Sequence, residues 1–223
     1  MSSDQNPLNV ENILFAISLA SAVGYGLTTR AAPSIPRMLV KTASIGTLAV
    51  ISTRLAAPRL LVTAQAFGSL GDAFLAWDGD GPFLCGLTSF LTAHIFYISL
   101  FARTGLGSDL ILSEGWRVST ALGMLVVALC MVATLLPRVA KDLKVPILVY
   151  SVAIYGMVLA ALTIDNAHLV TGAILFTTSD SLLATEKFLL SQDSSHRRWI
   201  EYAVWALYYG GQALIMKGIL ENL

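Results

Sequence analysis

Long apolar runs, separated by short polar connections, fill most of the chain. A membrane-spanning helix needs about 20 mostly apolar residues. By that measure eight runs each predict a helix: 13–27, 38–52, 60–77, 83–101, 118–136, 145–164, 168–190 and 200–220. Several are short, so tilt or interfacial anchors have to supply the missing length. The run 38–52 is the least regular, because Lys41 lies inside it. The connections carry Pro, Gly and charge, as in Asp78-Gly79-Asp80-Gly81-Pro82 and in 137–144, and none is long enough to hold a soluble domain. The expected fold is therefore all-α: a polytopic membrane protein with eight transmembrane helices, forming a single transmembrane domain over 1–223.

The runs also read as two copies of a four-helix unit. Met38-Leu39-Val40-Lys41 aligns with Ile147-Leu148-Val149-Tyr150, and Gly71-Asp72-Ala73-Phe74-Leu75 aligns with Ser179-Asp180-Ser181-Leu182-Leu183 in register or close to it. The repeat halves would be 12–103 and 117–220. An even number of helices per unit gives both copies one orientation, related by an axis along the membrane normal. Chance is the competing explanation, since apolar helices draw on few residue types.

Composition agrees with the pattern. Of 223 residues, 56% are hydrophobic and 13% charged, with mean hydropathy +0.72. A soluble domain would carry about twice that charged fraction. Net charge is zero, so no broad basic surface calls for nucleic acid. The polar stretch 2–12 lacks a basic segment followed by a cleavage site, so the first run is expected to stay as a helix. Cys85 and Cys130 form no C-x-x-C or metal spacing and read as small core residues. The loops after the first, third, fifth and seventh helices carry Arg30, Arg37, Arg138, Lys141, Lys144, Lys187, Arg197 and Arg198, against Arg54, Arg59, Arg103, Arg117 and Lys217 opposite. The excess predicts that the former end is cytosolic and that both termini face away from the cytosol.

Against this background the polar residues inside the runs stand out. They are Lys41 in helix 2, Asp72 in helix 3, His94 and Tyr97 on one face of helix 4, Tyr150 in helix 6, Asp180 with Ser181 in helix 7, and Tyr208 and Gln212 one turn apart in helix 8. Counted from the basic end, all could line one cavity that opens there. Each has a plainer reading. Lys41 alone could snorkel to the interface. The tyrosines could be packing or interface aromatics, and His94 and Gln212 could be interhelical hydrogen-bond glue. The aspartates resist dismissal, because an ionised carboxylate in lipid needs a partner, and the candidates inside the runs are Lys41 and His94. The chain has no G-x-S-x-G, P-loop or H-E-x-x-H, and its three histidines are too scattered for a metal site, so neither a metal nor a cofactor is expected.

At these positions the chain resembles the YhhN-type membrane proteins, which include the lysoplasmalogenases of animals. The resemblance rests on Lys41; Gly71-Asp72 with Leu75; Phe83, Gly86, Phe90, His94 and Tyr97; Pro146 and Tyr150; Gly172, Phe176 and Ser179-Asp180-Ser181; and Tyr208 with Gln212. It runs from helix 2 to helix 8. Where such families often show Lys-Pro in helix 2, this chain has Lys41-Thr42.

The resemblance implies cleavage of the vinyl ether bond of a lysophospholipid, the lysoplasmalogen, to a fatty aldehyde and glycerophosphoethanolamine or glycerophosphocholine. It also implies an integral, multi-pass location among membrane lipids, in the endoplasmic reticulum or another endomembrane if the source is eukaryotic. Vinyl ethers hydrolyse through protonation at carbon, so the reaction needs a protonated acid and an anion. Two neighbouring buried carboxylates, Asp72 and Asp180, can divide those roles, because burial and mutual repulsion oppose a double charge. Tyr150, His94 and Gln212 would orient water or the ether oxygen, and Lys41 would meet the lipid phosphate. A proton-coupled transporter or a lipid-binding sensor would use the same cavity without the chemistry.

Overall fold

The structure, a computed structural model, describes residues 10–223. The polar stretch before Val10, to which the leader-peptide expectation belongs, lies outside the described residues. All regular structure among the described residues is helical: α1 (Val10–Thr28), α2 (Ile35–Arg54), α3 (Arg59–Phe74), α4 (Asp80–Thr104), α5 (Ser108–Ser113), α6 (Gly115–Leu135), α7 (Lys144–Ala161), α8 (Ala167–Phe188) and α9 (His196–Glu221). Each predicted run coincides with one of the eight long helices. The short α5 falls in a predicted connection, where its apolar stretch of Leu110-Ile111-Leu112 is too brief to register as a run.

The helix ends follow local chemistry. Ser34 caps α2, its hydroxyl accepting from the Arg37 amide at 3.4 Å, with Pro36 in the first turn where no amide is needed. Asn166 caps α8 in the same way, accepting from Leu169 N at 3.0 Å. Lys41-Thr42 leaves α2 unbroken, and the Thr42 hydroxyl folds back onto Met38 O at 2.7 Å.

Among the described residues, five helical segments are long and apolar enough to cross a membrane: α1, α2, α4, α6, and α7 together with the 3-10 turn (Lys141–Leu143) before it. The expectation of eight such spans is met in part. The other three long helices are shorter or carry more polar residues along their length. Helix α3 has 16 residues and holds Gln65, Ser69 and Asp72; α8 holds Asp180 and several threonines; α9 holds Gln212 and charged residues at both ends. A helix shielded by its neighbours can carry such residues, whereas one facing lipid cannot. The outer helices α1 and α6 show the converse, exposing Phe15, Leu19 and Val23, and Leu122, Val126 and Leu129.

One continuous core joins α1–α4 with α7–α9 through Tyr25, Leu48, Leu61, Phe101, Met157 and Ile215. Helices α8 and α9 meet at glycines: a Cβ on Gly172 would lie 2.8 Å from Gly211 O, and one on Gly211 would lie 2.8 Å from Gly172 O. Helix α6 is tied to the bundle by Arg117, which is only 2% exposed. Its guanidinium donates to Leu162 O and Ile164 O, both at 2.9 Å, and pairs with Glu114 and Asp165. A cation here satisfies carbonyls just past the end of α7 and suits the negative end of that helix.

The cysteines correct the sequence reading. Cys85 and Cys130 are both exposed, on α4 and α6, not in the core. A bundle built for lipid is apolar outside as well as inside, so an apolar small residue carries no signal of depth.

Candidate functional site

Helix α3 brings Asp72 to the centre of the bundle, where it is 1% exposed. Lys41, one helix earlier, reaches it with Nζ 3.6 Å from Oδ1. From α9 the Tyr208 hydroxyl donates to Oδ2 at 3.0 Å. The ammonium of Lys41 also lies over two aromatic faces, 5.2 Å from the ring centre of Tyr25 and 6.0 Å from that of Trp205. Asp72 therefore has a cation and a hydroxyl donor around an otherwise apolar seat.

Asp180 on α8 meets different partners. The Tyr150 hydroxyl, from α7, donates to its Oδ2 at 2.9 Å. The ring of His94, from α4, places Nε2 3.5 Å from the same oxygen. His94 Nδ1 lies 2.6 Å from Phe90 O. A carbonyl can only accept, so Nδ1 carries the hydrogen. Nε2 and Asp180 Oδ2 then face each other as two acceptors unless a proton sits between them, on the carboxyl or on the ring. At 3.5 Å His94 Nε2 makes no hydrogen bond of its own, and Asp180 is its nearest charged neighbour.

Both carboxylates line one cavity of about 820 Å³. Lys41, Tyr208, Phe90, Ser179, Trp205 and Tyr25 share the wall, and the rim includes Arg30, Arg37, Trp77, Asp78, Lys187 and Arg197. Rim residues come from the α1–α2 and α3–α4 connections and from the adjoining ends of α2, α8 and α9, so the cavity opens at the basic end. Gly71 shapes the wall beside Asp72: a Cβ there would lie 2.7 Å from Phe90 Cε2, so only glycine lets that ring pack against α3.

The predicted residues divide into groups. Lys41, Asp72, Asp180 and Tyr208 line the cavity. Tyr150 and His94 stand behind Asp180 and reach it without lining the cavity. Tyr97 and Gln212 are fully buried and hydrogen-bonded to each other, as a layer supporting α4 on α9. Ser181 does not join the site: its hydroxyl donates to Thr177 O at 2.9 Å, and it lines a separate pocket of about 40 Å³ with Met124 and Met131. It follows Asp180 directly, and a step of one residue turns a helical side chain to a different face. Lys41 is buried and paired with Asp72 in the cavity wall.

Several cavity residues escape the sequence reading, namely Tyr25, Arg37, Trp205 and the half-buried Arg197–Glu186 ion pair. The signal for two of them is helical spacing. Arg37 precedes Lys41 by one turn, and Trp205 precedes Tyr208 by nearly one, so each shares a face with a residue already singled out.

The bundle and its buried acid pair define a helical membrane protein with a polar cavity at one end. The chain belongs to the YhhN family, whose profile matches residues 36–219. Among curated proteins it is 31% identical to the lysoplasmalogenase of Mycobacterium bovis over 166 residues, covering 72% of this chain and 60% of that protein. It is 29% identical to bovine lysoplasmalogenase TMEM86A over 186 residues, covering 78% of this chain and 70% of the relative. For human lysoplasmalogenase TMEM86B the identity is 28% over 168 residues, with 74% and 65% covered. The chain thus spans 60–70% of the length of these relatives. No solved structure matches the chain.

Proposed function

We propose that this protein hydrolyses the vinyl ether bond of lysoplasmalogens, releasing a fatty aldehyde and the glycerophospho-headgroup. The observation that carries the reading is the unequal pair of carboxylates in one cavity. Asp180, sharing a proton site with His94, is the acid. Asp72, held beside Lys41, is the carboxylate. The names of the curated relatives support the substrate class.

In this mechanism Asp180 gives its proton to the vinyl carbon remote from oxygen, and the carbon next to oxygen becomes an oxocarbenium ion. The Asp72 carboxylate stabilises that cation and takes a proton from the water that adds to it. The product is a hemiacetal. Its C–O bond to glycerol then breaks: the proton on Asp72 passes to the departing glycerol oxygen, and the hemiacetal hydroxyl proton returns to Asp180. One water is consumed and both carboxyls regain their starting states. Tyr208 and Tyr150 fix the orientation of the carboxylates through their hydroxyl bonds.

All eight long helices cross the bilayer in this reading, with the basic, cavity-bearing end in the cytosol. Paired contacts support a duplicated architecture. Each aspartate is met by the preceding helix of its own half, through Lys41 or Tyr150, and by the last helix of the other half, through Tyr208 or His94. Two measurements test these statements. Purified protein in detergent, given lysoplasmalogen, should release aldehyde in proportion to enzyme, with no membrane gradient. A transporter or sensor would release none. Single cysteines at Lys141 and at the carboxyl terminus, in a Cys85→Ala/Cys130→Ala background, should be labelled from opposite sides. Labelling of the terminus from the cytosol would reverse the orientation.

A further inference from the structure

The cavity rim carries a cation that the mechanism does not use. Five basic side chains line the cavity, and among the described residues four of them have carboxylate partners: Arg30 with Glu201 at 3.4 Å, Lys41 with Asp72 at 3.6 Å, Lys187 with Asp80 at 3.6 Å, and Arg197 with Glu186. Arg37 has none. Its guanidinium is held instead by neutral acceptors. Nε donates to Thr28 O at 3.1 Å, Nη1 to Ala76 O at 3.1 Å, and Nη2 to Thr29 O at 2.7 Å and to the Tyr25 hydroxyl at 3.1 Å.

These bonds take four of its five N–H groups and leave one, on Nη1, together with the whole formal charge. The side chain is locked between the end of α1 and the end of α3. A guanidinium fixed in advance loses little freedom on meeting an anion, and its weak hydration makes phosphate a favourable partner.

We infer that Arg37 is the phosphate-binding residue of the cavity, and that it sets the depth at which a single-chain lipid sits; the inference rests on the hydrolase reading above for the identity of that lipid. Arg37 precedes Lys41 by about one helical turn, about 6 Å along α2. In a lysophospholipid the glycerol unit separates the phosphate from the ether oxygen by a comparable span. A phosphate held at Arg37 therefore brings the ether bond level with Lys41 and Asp72, with the chain running deeper. Lys41, which the sequence alone offers for the phosphate, is already neutralised by Asp72. Arg37 takes over that role, and Lys41 serves the carboxylate.

The test separates phosphate binding from both catalysis and the bracing of α1 on α3. Binding of two uncleavable ligands to the protein in nanodiscs is measured by calorimetry: a 1-O-alkyl lysophospholipid, and the matching 1-O-alkylglycerol, which lacks phosphate. Arg37→Gln should weaken the lysophospholipid by about tenfold or more, the scale of a lost charge-assisted hydrogen bond, and leave the alkylglycerol within about twofold. Arg37→Lys keeps the charge without the fork and should fall between, again for the phosphate ligand alone; it carries the test if the Gln variant does not fold.

Equal weakening of both ligands would make Arg37 a brace only, and unchanged lysophospholipid binding would remove it from the site. Inorganic phosphate is titrated in parallel. Arg37-dependent binding of phosphate without Arg37-dependent binding of the lipid would overturn the headgroup assignment in favour of a free anion. Wild-type protein that binds the alkyl lipid through Arg37 but releases no aldehyde from the alkenyl one would sink the hydrolase reading and leave the phosphate site standing.

Discussion

Asp72 and Asp180 hold corresponding places in the first and last four long helices, yet their surroundings differ in one decisive respect. Around Asp72 the partner from the preceding helix is Lys41, a cation. Around Asp180 the corresponding partner is Tyr150, a neutral donor, and the partner from the other half is His94 where Asp72 has Tyr208. The two sets of partners are alike in number and differ in charge. A symmetric pair would give two equivalent acids or two equivalent anions. The proposed vinyl ether hydrolysis needs one of each, and the two differing partners in each shell support that division.

The largest expected effect comes from removing either carboxylate. Asp72→Asn and Asp180→Asn should each lower aldehyde release by about 10²–10⁴-fold, the usual range for a lost general acid or base, in protein that still extracts and elutes as the wild type does. Retention of most turnover by either variant would break the division of roles.

The next effect sharpens the comparison by treating the shells separately. Lys41→Met strands the Asp72 carboxylate in a buried seat, and should cost about 3–5 kcal/mol of stability in detergent melts, the range for breaking a buried ion pair. Adding Asp72→Asn to it should recover much of that loss, because no unpaired charge remains. Tyr150→Phe removes one neutral hydrogen bond at Asp180 and should cost about 1 kcal/mol. Equal losses from Lys41→Met and Tyr150→Phe would mean that the two carboxylates are not electrostatically different.

The same comparison shows what a sequence can and cannot disclose here. All eight long helices are legible as apolar runs, and the end of the bundle at which the cavity opens is legible from the placement of Arg and Lys. Asp72 and Asp180 are legible because charge inside such a run is costly enough to need a reason. Their partners are less so. Lys41 and His94 stand out as basic candidates inside the runs, but which pairs with which depends on helix neighbours that periodicity does not encode.

Ser181 shows a limit of reading motifs as strings: adjacent to Asp180 in sequence, it faces α6 and α7 and bonds its own helix. Cys85 and Cys130 show another, since apolar character marks lipid contact as readily as burial. The rim residues Arg37 and Arg197 sit at helix ends that read as connections, where basic residues are expected for topology alone. Their roles emerge only when the acceptors around them are known.

The central claim is that Asp180 protonates carbon, and one measurement addresses it directly. Lysoplasmalogen is hydrolysed by the purified protein in D₂O, the aldehyde is reduced to its alcohol as it forms, and the product is examined by mass spectrometry. Proton transfer from an exchangeable carboxyl to the vinyl carbon places one deuterium on the carbon next to the former aldehyde carbon, and Asp180→Asn should abolish formation of that labelled product. Aldehyde formed at the wild-type rate without deuterium at that carbon would mean that the ether is cleaved by another route, and the roles assigned to both aspartates would fall with it.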